Sequence, residues 1–242
     1  MPTEADERHL AYYFRDYITT PRTRSDVQVQ FQAEAGDVEY LTAAAGRRSV
    51  RITTSDGRTE YLRGDATIHA ATPLPPFTAE PLRGTVATIH AAAATPPDQQ
   101  DAAVIIHGPS TSGKSSLVMA LVGHGWGFLS DDTVPIDHQG RALPFTRPIG
   151  IRERTARRLG LNFDQLADAP QYPTTLGTTL SVHPRDLGWR IAQPAPVRWV
   201  VTLQPSPSFA AQKTGRRQLR LELDIERHET AAIDAIEELC CG

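Results

Sequence analysis

The chain has 242 residues, 40% hydrophobic and 22% charged, with a net charge of −3 and a pI near 6.2. That supports a real core in one large domain or two small ones, and it excludes a nucleic-acid binder that works by neutralising phosphates. No apolar run approaches a membrane span and the start is acidic (Glu4, Asp6, Glu7), unlike a signal peptide, so a cytoplasmic protein with no membrane partner is expected.

In chain order, residues 7–17 place Leu10, Tyr13, Phe14 and Tyr17 on one face and predict a short helix. Val27, Val29, Phe31 and Ala33 alternate with Gln28, Gln30 and Gln32, the period of a half-buried strand over residues 26–34. Residues 49–53 and 59–62 flank Ser55, Asp56 and Gly57 as the arms of a hairpin. Residues 1–82 therefore read as a β-rich region without a convergent chemical group. The Pro-rich stretch 72–81 leads into a second region, residues 83–242.

Residues 85–91 predict a strand, and residues 95–101, with Pro96 and Pro97, turn the chain back into an apolar strand at 102–107. Next come Gly108, Pro109, Ser110, Thr111, Ser112, Gly113, Lys114, Ser115 and Ser116, and then an apolar helix over 116–122 that stops at Gly123 and Gly125. This is G-x-x-x-x-G-K-S between a strand and a helix, the context of a triphosphate-binding loop. The glycines let successive backbone N–H groups converge on phosphate oxygens, and the helix N-terminus adds partial positive charge. Lys114 would reach the β- and γ-phosphates and the Ser115 hydroxyl would sit on Mg²⁺, so ATP and Mg²⁺ are the expected ligands. GTP or pyrophosphate stays open as donor, since such a loop reads phosphates and not the base.

A strand at 126–130 ends in Asp131 and Asp132, an acidic pair close behind the loop helix. One carboxylate can hold Mg²⁺ while the other faces an incoming nucleophile; the plainer alternative is a pair of turn aspartates. Residues 133–137 and 141–145 predict two strands across the turn 138–140, and residues 151–159 a basic helix. Residues 161–187 look irregular, residues 197–203 and 219–225 predict strands, and residues 229–239 an amphipathic helix with Ile233, Ile236 and Leu239 inward. Cys240 and Cys241, the only cysteines, read as two reduced thiols.

The run from Thr88, Ile89 and His90 through the loop to Gly123, His124, Gly125 and on to Ser130, Asp131, Asp132, Thr133 and Val134 resembles the HPr serine kinase/phosphorylase superfamily, which shares its core with phosphoenolpyruvate carboxykinases. The resemblance covers about residues 85–160. It implies an α/β fold with a phosphate-loop core and a mixed sheet, behind the β-rich N-terminal region. It implies Asp131 as the base for an accepting hydroxyl, Asp132 with Ser115 on the metal side, and His90 beside the pair. Residues 146–154 do not carry the downstream Gly- and Arg-containing signature tied to dephosphorylation, so neither HPr as acceptor nor the reverse reaction is implied. The chain looks more like the small HPr-kinase-like proteins of lasso-peptide pathways.

A phosphoryl-transfer site wants an arginine on the γ-phosphate charge, and the turn at 148–150 could bend Arg147 and Arg152 over it. Arg157 and Arg158 read as a solvated face. His107 reads as a strand-end packing residue, and His183, Arg185 and Asp186 receive no role. The expected activity is a kinase acting on a serine or threonine hydroxyl of a peptide or protein. A small-metabolite kinase and an ATP-binding sensor are the alternatives, and assembly into a homo-oligomer is left open.

Overall fold

The structure, a computed structural model, describes residues 11–12, 15–16, 27–33, 48–54, 59–64, 85–166, 169, 171–174 and 177–241. The connector at 72–81, the hairpin turn at 55–58 and most of the helix expected at 7–17 lie outside these residues; of that helix, 11 and 12 are helical. Three strands, β1 (Val27–Ala33), β2 (Arg48–Thr54) and β3 (Thr59–Gly64), form an antiparallel sheet in sequence order. Its register sets Val29 opposite Ile52 and Phe31 opposite Val50, as the alternating pattern requires.

The larger part of the described chain is a mixed nine-stranded sheet with few helices. It takes β4 (Thr85–Ile89), β5 (Ala92–Thr95), β6 (Ala103–His107), β7 (Gly127–Ser130), β8 (Val134–Asp137) and β9 (Arg141–Ala142) from the first half. Helix α1 (Lys114–Gly123) lies between β6 and β7 in sequence. A separate three-stranded sheet follows, made of β10 (Ile149–Arg152), β11 (Gln171–Thr174) and β12 (Gly177–Val182), with α2 (Glu153–Arg158) after β10. The chain then returns to the large sheet as β13 (Ala195–Pro205), β14 (Ala210–Gly215) and β15 (Gln218–Leu223), and ends in α3 (Ile225–Cys241).

The sheet order is β4-β8-β9-β13-β6-β5-β7, with β15 pairing both β13 and β14. β6 and β15 run parallel to β13, so three strand ends point the same way at the loop that follows β6. β6 is apolar from Ala103 to Ile106 because both faces of that run are covered. Val104 and Ile106 pack with Leu117, Leu121, Ile233 and Ile236 of the helices. Ala103 and Ile105 face a second cluster with Leu129 and Val134. Each fully buried Leu or Ile here contributes roughly 1.5–3 kcal/mol of transfer free energy, which is what pins α1 behind the loop.

Several expected elements change. The strand expected at 85–91 stops at Ile89, bends at His90 and Ala91, and resumes as β5. β4 stays at the sheet edge against β8 while β5 sits between β6 and β7. Three consecutive alanines carry little strand propensity, so β5 is set by its fully buried place in the sheet and not by local preference. Residues 151–152 extend as the end of β10 instead of opening the helix. The segment 161–187, expected to be irregular, holds β11, β12 and two single-turn helices, Phe163–Leu166 and Pro184–Leu187. β9 has only two residues of the five expected, and β14 was not foreseen. Ile225 starts α3 instead of ending a strand; Ile233, Ile236 and Leu239 do face inward.

Described residues of the N-terminal region reach the second one. The Tyr12 hydroxyl accepts from the His183 N–H (2.9 Å) and donates to Asp186 (3.1 Å). Asp16 accepts from the Thr146 hydroxyl (2.6 Å) and from Arg185 Nε (2.8 Å). Burial pushes the Tyr12 phenol up to about 12. His183, assigned no role from sequence, is fully buried beneath this contact.

Candidate functional site

The loop 108–113 is shaped by what surrounds it. A Cβ on Gly108 would stand 2.6 Å from the Leu203 carbonyl oxygen and 2.8 Å from Ser112 Oγ, so only glycine fits between the loop and β13. Gly113 adopts φ 95°, and its Cβ would meet Ile225 at 3.0 Å. Thr111 also sits in the left-handed region at φ 65°. α1 begins at Lys114 with no side chain capping its start, which leaves the first-turn N–H groups for a ligand. Lys114 is buried, and its Nζ donates to the carbonyls of Gly108 and Pro109, each at 3.0 Å. His107 binds Thr202 Oγ1 at 2.8 Å, tying β6 to β13 directly beneath the loop, in line with a packing role.

The acidic pair splits at the end of β7. The Asp131 Oδ1 is buried and has no hydrogen-bond partner among the described residues, and the Ser115 hydroxyl stands near the carboxyl. Burial holds it above the usual carboxylate range, and the neighbouring Asp132 charge adds to this, against the pull of Ser115, Arg147 and Lys114. Asp132 turns the other way on a left-handed backbone, φ 69°. Its Oδ1 lies 3.1 Å from His90 Nδ1, and its Oδ2 accepts from Arg147 Nη2 at 2.7 Å. The His90 and Asp132 side chains are 58% and 48% exposed, so this pair stands at the rim. Arg147 is buried, with its guanidinium 5.7 Å from the centre of the Phe145 ring.

A cavity of about 850 Å³ is bordered by the loop, His90 and Asp132, while Asp131 and Arg147 lie outside its lining. Residues 110–116 line one side, His90, Asp132 and Arg152 contribute further walls, and Pro205, Ser206, Pro207 and residues 223–226 complete the lining. The volume is in the range of sites for whole small molecules, which leaves room for a nucleoside beyond the phosphates. Arg152 makes no ion pair among the described residues, which leaves its charge for an anion in the cavity. Arg154 pairs with Glu226 and Arg157 with Glu153. Arg158, expected in solvent, is instead drawn in against Glu229 at 2.8 Å and donates to the Ser116 carbonyl.

The sequence-derived residues thus converge from five elements: the loop, α1, and the ends of β4, β7 and β10. The wall formed by 205–207 and 223–226 was missed. Its signals were a Pro-Ser-Pro turn after an apolar strand and an aspartate before a helix, where Asp224 Oδ1 accepts from the Glu226 N–H at 3.0 Å. Among the described residues no group of three or more His, Cys, Asp or Glu could hold a metal by itself. The orphaned Asp131 Oδ1 beside the Ser115 hydroxyl nevertheless fits Mg²⁺, which keeps water and phosphate oxygens as its other ligands. No described helix is long and apolar enough to cross a membrane.

No protein-family model matches the chain, and no curated protein does. Among solved structures it is similar to the HPr(Ser) kinase/phosphatase from Coxiella burnetii, at 15% identity and a TM-score of 0.35, over 63% of this chain and 95% of that one. A likeness of that degree decides nothing about activity, which is argued from the site.

Proposed function

We propose that the protein is a phosphotransferase that moves the γ-phosphoryl group of ATP to a serine or threonine hydroxyl of a peptide or protein; a lasso-peptide precursor is one acceptor of that class. One observation carries the reading. Asp131, with a buried and unpartnered carboxyl oxygen, neighbours the hydroxyl of the residue after the loop lysine, while Asp132, held by Arg147, stands at the cavity rim with His90. A phosphate loop alone supports binding; two carboxylates facing different ways support transfer.

Ser115 and Asp131 would hold Mg²⁺, which when bound neutralises charge on the phosphates and orients them. The loop N–H groups and Lys114 bind the phosphate chain, Lys114 giving up its bonds to Gly108 and Pro109 to do so. Asp132 accepts the proton of the acceptor hydroxyl as its oxygen bonds to the γ-phosphorus, and the bond to the β–γ bridging oxygen breaks to release ADP. Arg147 holds Asp132 in place, and Arg152 faces charge on the transferring group. This exchanges the roles that the family resemblance implied for the pair, because Asp131 neighbours Ser115 with an orphaned Oδ1 while both Asp132 oxygens turn to His90 and Arg147. The half-exposed rim favours an acceptor presented from outside, such as a polypeptide, over a small metabolite enclosed in a pocket. We further propose residues 83–242 as the catalytic region.

Asp131→Asn and Asp132→Asn separate the roles. Asp132→Asn should bind Mg·ATP nearly as wild type and transfer about 10²- to 10⁴-fold more slowly, the usual worth of general-base help. Asp131→Asn should shift the Mg²⁺ dependence and be partly rescued by excess Mg²⁺ or Mn²⁺. Rescue of Asp132→Asn and not of Asp131→Asn would restore the family's assignment. A wild-type rate for Asp132→Asn would remove it as the base.

A further inference from the structure

β4 is an edge strand of the large sheet, paired with β8 on one side and with no strand on the other among the described residues. Edge strands are normally blunted by charge, proline, shortness, a bulge or a covering element. β4 (Thr-Val-Ala-Thr-Ile) is short and carries no charge and no proline; its one irregularity lies between Thr85 and Ala87, residues 87–89 stay in register with β8, and residues 86–89 are exposed on both faces of the strand. Val86 (52%) and Ile89 (38%) are the exposed large hydrophobics among the described residues. The strand runs directly into His90, whose ring meets Asp132 at the cavity rim. Ala91 N–H and His90 Nδ1 both bond the Asp132 carbonyl, so the end of β4 is fixed to the acidic pair.

We propose that β4 is the acceptor-docking edge: an extended, uncharged peptide segment adds to it as a further strand and carries its serine or threonine past His90 to the transfer site. This rests on the phosphoryl-transfer reading above. Main-chain hydrogen bonds to a free edge supply affinity with little sequence demand, and the exposed Val86 and Ile89 set which side chains are tolerated on each face. A second copy of the chain is the weaker occupant. Two five-residue strands cannot by themselves bury the roughly 1,200 Å² of a stable dimer interface, and pairing there would block both rims.

The test uses the full chain and a library of decapeptides, each with one central serine flanked by alternating β-branched residues, beside N-acetylserine amide and copies of the peptides with alternate backbone amides N-methylated. The expected results are phosphorylation of a subset of peptides, its loss on N-methylation, and slowed hydrogen exchange at residues 85–89 when such a peptide is added. Val86→Lys, on an exposed side chain outside the catalytic groups, should raise the peptide KM about tenfold while Mg·ATP affinity stays unchanged. Phosphorylation of N-acetylserine amide as fast as of any peptide would overturn the docking edge and leave the kinase reading intact. So would peptide kinetics unchanged in Val86→Lys, including the case where that variant instead splits a wild-type dimer. Failure to bind Mg·ATP at all would sink the kinase reading itself, and the docking edge with it.

Discussion

Gly108→Ala examines the loop at the point where the structure leaves least room. The added Cβ would stand 2.6 Å from the Leu203 carbonyl oxygen, a backbone atom on β13, and 2.8 Å from Ser112 Oγ. Leu203 is fully buried between neighbouring strands, so the loop has to move, by most of an ångström, to restore ordinary contact. Overpacking of this kind costs about 1–3 kcal/mol. In a chain of this size that lowers Tm by roughly 2–4 °C per kcal/mol. A shift near 1 Å also takes phosphate-facing N–H groups out of line, an error that can cost on the order of 100-fold where geometry is critical. Gly123→Ala is the control: its Cβ would meet nothing within 4 Å at the end of α1, so stability should hold or rise slightly. Differential scanning calorimetry and Mg·ATP titration of both variants decide the matter. Gly108→Ala with wild-type Tm and affinity would refute the argument that this loop is fixed against β13 for phosphate binding.

Three further outcomes follow from the acidic pair and its arginine. Burial raises the Asp131 pKa, so Mg²⁺, which takes the carboxylate form, competes with a proton at higher pH than it would at an ordinary carboxylate. Mg·ATP affinity should therefore strengthen as pH rises through that raised pKa and level off above it, and Asp131→Asn should lose this slope. By the same linkage, the stabilisation of the ligand-free protein by protonated Asp131 is complete below the unfolded value of about 4 and is lost as pH rises through the folded one. Tm measured against pH for wild type and Asp131→Asn should diverge over that window. Arg147→Lys keeps the charge but loses the planar fork beside Phe145. A charge-assisted bond worth about 1.5–3 kcal/mol predicts a ten- to hundredfold fall in kcat with Mg·ATP affinity nearly unchanged. Equal losses in both would assign Arg147 to nucleotide binding instead.

What was legible in the sequence was local. The β6–loop–α1 unit and the acidic pair announce themselves because each needs particular residue types at fixed spacing: glycines where a Cβ cannot fit, and carboxylates at a strand end. The β1 and β15 alternations were read for the same reason. What was not legible depends on distant parts of the chain. β5 is an alanine run that only its burial between β6 and β7 turns into a strand. β11 and β12 lie in a segment rich in Pro, Thr and Asp, and β10 supplies the partner that orders β12. The 205–207 and 223–226 wall reaches the cavity because β13 and β15 run parallel to β6, a pairing no local pattern encodes. The different settings of Asp131 and Asp132 turn on one left-handed residue, Asp132, which sends its carboxyl to His90 and Arg147 and leaves Asp131 Oδ1 orphaned.

The central claim is that the loop binds a nucleoside triphosphate for transfer, and Lys114→Ala tests it most directly. In the ligand-free chain the lysine is buried and bonded to the loop's own carbonyls, so its removal deletes the nearest charge to the β- and γ-phosphates without touching the hydrophobic core. Isothermal titration should show one Mg·ATP per wild-type chain, and the variant should bind about ten- to a hundredfold more weakly, the worth of one strong charge-assisted bond, with phosphate transfer reduced to background. Wild-type affinity and wild-type turnover in Lys114→Ala would contradict the account.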